Sequence, residues 1–298
     1  MSERSTMRHG VSDGRADEAA TSAPRTTAVP SWLHTSATPL QAALGGIGQD
    51  HIGPAAMLWP TGQDSDAGQR ADRYLPQTLR HPQRTRPALT AQAIHRYTRP
   101  GQTVFDPFVG VGTTTVEAVY AGRRAIGVDV DPRWVESARL NLGYAFQNGA
   151  TGAGMVLHAD ARHLTPAPGW LRDSIDLILT APPVRLQPLA AAARRCSNAD
   201  LVVRLETDLG LVFASWIPLV HSGTVIVLTT RLLCRAQQTV DLTVPIAYAA
   251  RRVGFTFVER VAALRVPIRD AHQGLRPRTQ RRGVRPRVVH DDVLVYHA

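Results

Sequence analysis

Phe105-Asp106-Pro107-Phe108-Val109-Gly110-Val111-Gly112-Thr113-Thr114-Thr115, followed by Ala125-Ile126-Gly127-Val128-Asp129, is the stretch on which the fold turns. An apolar strand, Thr103 to Phe105, ends in an acid. A glycine-rich turn then lets backbone approach a ligand, and Thr113 opens a helix whose free N–H groups favour electronegative atoms. A second strand, Ala125 to Val128, ends in a second acid, Asp129. Carboxylates at the C-terminal ends of neighbouring parallel strands lie where an open α/β sheet binds its ligand. One suits an amino group and the other a ribose diol. A G-x-G-x-x-G dinucleotide turn is absent, because Thr115 stands three residues after Gly112, and an acid precedes the glycines. A phosphate-binding P-loop needs a lysine, and the chain contains none.

Working outward, the pattern predicts helix Ala88 to Tyr97 before the first strand and helices Thr113 to Ala121 and Pro132 to Phe146 after it. Strands are expected at Met155 to His158 and Ile175 to Leu179. Beyond them come helix Ala199 to Leu219, strand Gly223 to Leu233 and helix Val244 to Val253. Phe255 to Val266 and Val288 to Tyr296 are expected to close the sheet as an antiparallel pair. Strands alternating with helices mean a mostly parallel sheet. Residues 1–55 are poor in large apolar side chains and punctuated by Gly and Pro, so they read as a disordered tail with a short helix near Pro39 to Leu44. Residues 56–298 then form one domain, with an Arg-rich loop, 267–287, inserted before the last strand. Trp59, Arg73 and Tyr74 fall near the expected cofactor entrance, where packing is their expected role, and Trp134 is expected in the core.

The run Asp106-Pro107-Phe108-x-Gly110-x-Gly112-Thr113-Thr114, then Gly122-Arg123-Arg124-x-Ile126-Gly127-Val128-Asp129, resembles the cofactor site of amino-directed nucleic-acid methyltransferases, the DNA N4-cytosine/N6-adenine group. His81-Pro82-Gln83-Arg84-Thr85-Arg86-Pro87 resembles the segment preceding the cofactor strand in that family. Ala159-Asp160-Ala161-Arg162 resembles its adenine-contacting acid, and Ser174 to Pro183 its catalytic loop. The likeness spans about Arg73 to Val184. Its motif order is shared with RNA methyltransferases acting on guanine N2. The resemblance implies a class I, Rossmann-like α/β fold: a mostly parallel seven-stranded sheet with helices on both faces and an antiparallel C-terminal hairpin.

It also implies S-adenosyl-L-methionine as cofactor. Asp106 and the backbone around Phe108, Gly110 and Gly112 would hold the methionine moiety, with Thr113 and Thr114 near its carboxylate. Asp129 would accept both ribose hydroxyls, since a carboxylate takes two donors at once. Val130 would pack on an adenine face, Asp160 would accept the adenine amino group, and Ala161 would donate a backbone N–H. Asp131 has an ordinary explanation, an N-cap before Pro132.

The catalytic loop departs from the family. Where relatives carry Asn, Asp or Ser, then Pro-Pro, then Tyr or Phe, this chain has Ala181-Pro182-Pro183-Val184. In the family the first side chain and a Pro carbonyl accept hydrogen bonds from the target amine, and the aromatic stacks on the extruded base. Losing the hydrogen bond costs about 2 to 4 kcal/mol of transition-state stabilisation, and losing the stack roughly 1 to 3 kcal/mol more. Arg185 or Thr180 is near enough in sequence to compensate, although a strand residue beside Ala181 points to the other face. Three readings follow. The chain is an active methyltransferase on a nucleic-acid amino group, or an impaired relative that binds cofactor or nucleic acid as a partner protein. In the third it methylates another substrate class.

The basic residues number 34, all arginine, and give a formal charge of +10. Their distribution says more than their number: 251–298 holds eleven Arg against four acids, while 1–50 holds four against five. Arg276, Arg278, Arg281, Arg282 and Arg285, broken by Gly and Pro, form an irregular cationic loop suited to phosphates. Nucleic acid is therefore the expected partner, DNA before RNA. No membrane partner is expected, for the sequence has neither a spanning apolar run nor a signal core. The eleven histidines show no helix-spaced ligand set, so no metal is expected. Two cysteines without C-x-x-C fit a reducing cytoplasm.

Overall fold

The structure, a computed structural model, describes residues 58–78, 81, 84–164, 167–183, 197–235, 238–268 and 288–298. The tail 1–55, Val184, Arg185 and the loop arginines Arg276, Arg278, Arg281, Arg282 and Arg285 lie outside the described residues.

The chain enters through a two-residue strand β1 (Leu58–Trp59), a short helix α1 (Asp66–Arg70) and helix α2 (Pro87–Tyr97). Next come β2 (Thr103–Asp106), α3 (Thr113–Tyr120), β3 (Arg124–Asp129), α4 (Pro132–Gln147), β4 (Ala153–His158) and β5 (Ile175–Thr180). The second half runs α5 (Asn198–Trp216), β6 (Val220–Thr230), a hairpin of β7 (Leu233–Arg235) and β8 (Gln238–Val240), α6 (Thr243–Arg252), β9 (Thr256–Leu264) and β10 (His290–His297). Local chemistry explains the helix starts. Proline, which lacks the N–H a first turn cannot use, opens α2 and α4. Asp131 caps α4 by accepting from Arg133 N at 2.9 Å, and Ser197 with Asp200 forms a reciprocal capping box on α5.

The main sheet has the order β1-β9-β10-β6-β5-β2-β3-β4. The β6-β5-β2-β3-β4 stretch is parallel, and β10 runs antiparallel to both β6 and β9. The expected seven strands are present with their C-terminal antiparallel pair. An eighth, β1, adds a parallel edge beside β9, which its two residues are too short to announce in sequence. The strand expected to reach Leu233 ends instead at Thr230, where the chain leaves the sheet.

Strand residues divide by alternation. Val104, Ala125, Leu177, Leu179 and Val227 join one apolar core with Ile94 of α2, Val119 of α3 and Ala138 of α4. Phe105, Ile126, Ile178, Ile226 and Leu228 are equally buried on the opposite face, the side of α5 and α6. Because the chain builds β2, β3 and β4 in one direction and then returns to place β5 on the other side of β2, a crevice opens beyond the carboxyl ends of β2 and β5.

Trp59 and Tyr74 are both buried, so packing is indeed their role; Trp59 lies against Tyr97 with ring centres 6.3 Å apart. One buried charge holds the entry segment to α3. Glu117 accepts from Tyr74 Oη at 2.7 Å and from Arg73 Nη2 at 2.7 Å. Glu117→Ala would leave the Tyr74 hydroxyl buried without an acceptor, at a cost of about 1–3 kcal/mol. A fall in thermal midpoint is the expected result, with Glu117→Gln, which keeps an acceptor, falling less. Equal midpoints for Glu117→Ala and the native chain would refute this account.

Candidate active site

A cavity of about 580 Å³ fills the crevice. The glycine turn forms one wall and is fixed from three sides. Val109 N donates to Val128 O at 2.9 Å, Gly110 N to Asp129 Oδ2 at 3.0 Å, and Asn141 Nδ2 reaches Val111 O at 2.8 Å. Gly110 and Gly112 have φ of +51° and +87°, the left-handed region that favours glycine. A Cβ at Gly112 would also stand 3.1 Å from Ala138 of α4, so α3 and α4 pack this closely only over a glycine.

The three expected acids ring the cavity, each in a different electrostatic state. Asp129 Oδ1 accepts from Asp131 N at 2.9 Å and Oδ2 from Gly110 N, one backbone donor per oxygen, so each retains a lone pair for a further donor. Asp106, at the end of β2, is buried, and its partners among the described residues are all neutral. Oδ1 accepts from Phe108 N at 3.0 Å and from Thr180 Oγ1 at 2.6 Å. Burial raises its pKa to about 6, partly offset by the hydroxyls of Thr114 and Thr180 and the Phe108 N–H. Asp160 is paired with Arg162, whose Nη2 lies 2.5 Å from Oδ2 and whose Nε lies 3.0 Å from Oδ1. That hydrogen-bonded cation holds its carboxyl below the usual carboxylate range.

Phe108, Thr113, Thr114, Val130 and Ala161 also line the cavity. Gly112 does not; it acts from behind, as the left-handed cap of α3. Ala181, Pro182 and Pro183 lie on the wall beyond β5. Thr180 turns its hydroxyl to Asp106, so it ties the end of β5 to the end of β2 and is engaged away from Ala181. Trp134, expected in the core, is half-buried on the cavity wall, with its ring edge-on to His81 at 4.4 Å between centres. The correction has a simple cause: Trp134 falls in the first turn of α4, which begins at the cavity rim. Thr229 to Leu233, Arg265 and Asp291 also line the cavity, and sequence reading did not single them out. Arg265 follows β9 and Asp291 stands on β10, and only strand pairing brings them there.

A buried carboxyl that titrates near 6 has a measurable consequence. The folded protein holds this proton more tightly than the unfolded chain, so Asp106 lowers fold stability as pH rises from 3.8 to about 6. A cationic ligand at Asp106 has the opposite dependence, binding the charged form. Its affinity is expected to rise roughly tenfold between pH 5 and pH 7, with proton release on binding near pH 6. Calorimetry in buffers of different ionisation enthalpy checks this, and an affinity flat across that range would exclude Asp106 as the contact.

Residues 50–140 match the family model for DNA methylase. A 96-residue stretch is 33% identical to a tRNA (guanine(10)-N2)-dimethyltransferase of Methanothermobacter thermautotrophicus, covering 32% of this chain and 26% of that protein. A 63-residue stretch is 40% identical to the Type II methyltransferase M2.DpnII of Streptococcus pneumoniae, covering 21% of this chain and 24% of that one. The matched residues thus span about a quarter of the length of each curated relative. Among solved structures, TrmN from Thermus thermophilus aligns with 77% of this chain and 52% of its own at 22% identity and a TM-score of 0.47. Over these stretches, each under a third of its length, the chain is similar to DNA and tRNA methyltransferases. Among the described residues no helix is long and apolar enough to cross a membrane, and no group of three or more His, Cys, Asp and Glu is disposed to hold a metal ion.

Proposed function

We propose that this protein is an S-adenosylmethionine-dependent methyltransferase acting on an exocyclic amino group of nucleic acid, with DNA as the first acceptor to test and RNA the second. The observation that carries the reading is one continuous cavity running from three acids to a Pro-Pro loop. The acids fit the cofactor. Asp106, buried with neutral partners only, suits the amino group of the methionine moiety. Asp129, with a lone pair left on each oxygen, suits a ribose diol. Asp160 and the backbone of Ala161 suit the adenine edge, beside the apolar surfaces of Val130 and Trp134. Thr113 and Thr114, in the first turn of α3, suit a carboxylate.

When bound, the cofactor would supply a methyl group on positively charged sulfur: an amine lone pair takes the methyl carbon as the sulfur leaves as a neutral thioether, and the amine then loses a proton to solvent. The chain's own contribution is positioning. The Pro182 carbonyl accepts a hydrogen bond from the acceptor amine and holds its lone pair toward the methyl group. Ala181 offers no second acceptor, so turnover is expected to be slow rather than absent. The same alanine favours a second reading, a relative that binds cofactor and nucleic acid without transferring. Tritium transfer from labelled S-adenosylmethionine to DNA, RNA and small amines, with chromatography of the digested nucleosides, separates the readings. Label in N4-methylcytosine or N6-methyladenine supports the DNA reading, and label in N2-methylguanine the RNA one. Calorimetric cofactor binding with transfer to no acceptor leaves the binding-protein reading. Label only in a small amine would refute both nucleic-acid readings.

A further inference from the structure

Arg70 is among the largest fully buried side chains of the molecule, and three of its contacts tie the entry segment together. Nε lies 3.3 Å from Asp66 Oδ1, Nη2 donates to the Thr85 carbonyl, and the guanidinium carbon sits 4.9 Å from the centre of the Tyr74 ring. The fourth contact serves no such purpose. Nη1 donates at 3.3 Å to Oγ1 of Thr113, in the first turn of α3 on the cavity wall. That bond decides what the hydroxyl can do. An arginine only donates, so Thr113 Oγ1 accepts from it and keeps its single proton for another partner. Among the described residues that proton meets no acceptor. The two threonines that follow differ: Thr114 Oγ1 reaches the Leu179 carbonyl at 3.5 Å, and Thr115 Oγ1 donates to the Gly112 carbonyl at 3.0 Å. The end of α3 supplies no acceptor either, since its N-cap is Gly112, without a side chain, and its first turn holds no acid.

A buried donor without an acceptor is costly until a ligand supplies one. We propose that Arg70 is a positioning residue for the cofactor carboxylate, holding the Thr113 hydroxyl as a donor toward the cavity. The proposal rests on the reading above that seats this carboxylate at Thr113 and Thr114. Arg70 is absent from the cavity wall and acts through Thr113. Its cation, one hydrogen bond behind the hydroxyl, strengthens that hydroxyl as a donor and favours negative charge at the same end of α3 as the helix dipole does. Without Arg70 the hydroxyl is free to donate back to a carbonyl of its own turn, as Thr115 does, and the cavity loses the donor.

The test titrates the full chain, Arg70→Gln, Arg70→Lys, Thr113→Val and the Arg70→Gln/Thr113→Val double variant calorimetrically with two ligands. These are S-adenosylhomocysteine and its decarboxylated analogue, which differ in the carboxylate alone. For S-adenosylhomocysteine, Thr113→Val is expected to lose about tenfold in affinity and Arg70→Gln about fivefold, with Arg70→Lys, which keeps the cation, losing less. Affinity for the analogue should change by less than about twofold in every variant, and the double variant should match Thr113→Val, because Arg70 acts through that hydroxyl. Equal losses for the two ligands in Arg70→Gln, or losses that add in the double variant, would make Arg70 a structural clamp and overturn the proposal. Failure of both single Arg70 variants to fold would overturn it in the same way. Thr113→Val that binds S-adenosylhomocysteine as the native chain does would place the carboxylate elsewhere and overturn it too. A native chain that binds neither ligand overturns the cofactor reading and the proposal with it, whereas native binding with any of the preceding results overturns the role of Arg70 and leaves the cofactor intact.

Discussion

Asp129→Ala is expected to weaken S-adenosylmethionine binding by a hundredfold or more. Each oxygen of Asp129 already accepts one backbone N–H, from Asp131 and from Gly110, and the proposed diol adds one donor to each. A hydrogen bond to a charged acceptor contributes about 1.5–3 kcal/mol, so losing two costs roughly 3–6 kcal/mol, where 1.4 kcal/mol is tenfold in affinity. The variant also frees the N–H groups of Gly110 and Asp131, which loosens the turn that shapes the cavity. Asp129→Asn separates the two effects, since it keeps the size and one acceptor; an intermediate loss is expected. Calorimetric titration measures the affinities, with thermal unfolding as the control for folding. A dissociation constant within threefold of the native value in Asp129→Ala would remove the ribose contact.

Ala181→Asn runs the other way and is expected to raise the rate of methyl transfer by about thirtyfold to a thousandfold. Ala181 lies on the cavity wall immediately before Pro182, so a longer side chain there extends into open space. Asn restores the acceptor that the family resemblance assigns to this position, and one such bond, about 2 to 4 kcal/mol, converts to that rate ratio. Cofactor affinity should hardly change, because the acids proposed to carry it stand on β2, β3 and the loop after β4. Single-turnover tritium transfer, with affinity measured in parallel, checks both halves. A variant that binds cofactor normally and transfers no faster would show that the missing side chain is not what limits the native chain.

The reach of sequence reading differed along the chain for physical reasons. The strands and helices from Pro87 to Thr180 lie within one or two residues of their expected bounds, because each is a periodic apolar segment punctuated by Pro, Gly or an acid. The order of cofactor motifs was equally legible, since a strand, a tight turn and a helix are contiguous and their chemistry is local. Trp134 was misplaced because an aromatic near a helix start reads the same whether that end faces the core or a crevice. Strand β1 and the β7–β8 hairpin escaped notice because a few residues carry no period. Thr180 illustrates an intermediate case. Alternation said that it turns away from the position of Ala181, but not that its hydroxyl meets Asp106 across the β2–β5 pair.

By itself, the sequence determined the α/β class, the parallel run of strands from β2 to β5, the three acids and the altered Ala181-Pro182-Pro183-Val184 loop. These are properties of neighbours along the chain, where period, turn chemistry and spacing act directly. Tertiary structure decided what those residues meet. It buried Asp106 among neutral donors so that it titrates near 6, clamped Asp160 with Arg162, and set Arg265, just after β9, against Asp291 of β10 on the cavity wall. The reason is that burial and charge pairing depend on distances between segments far apart in sequence, and those distances exist only once the antiparallel strands have closed the sheet.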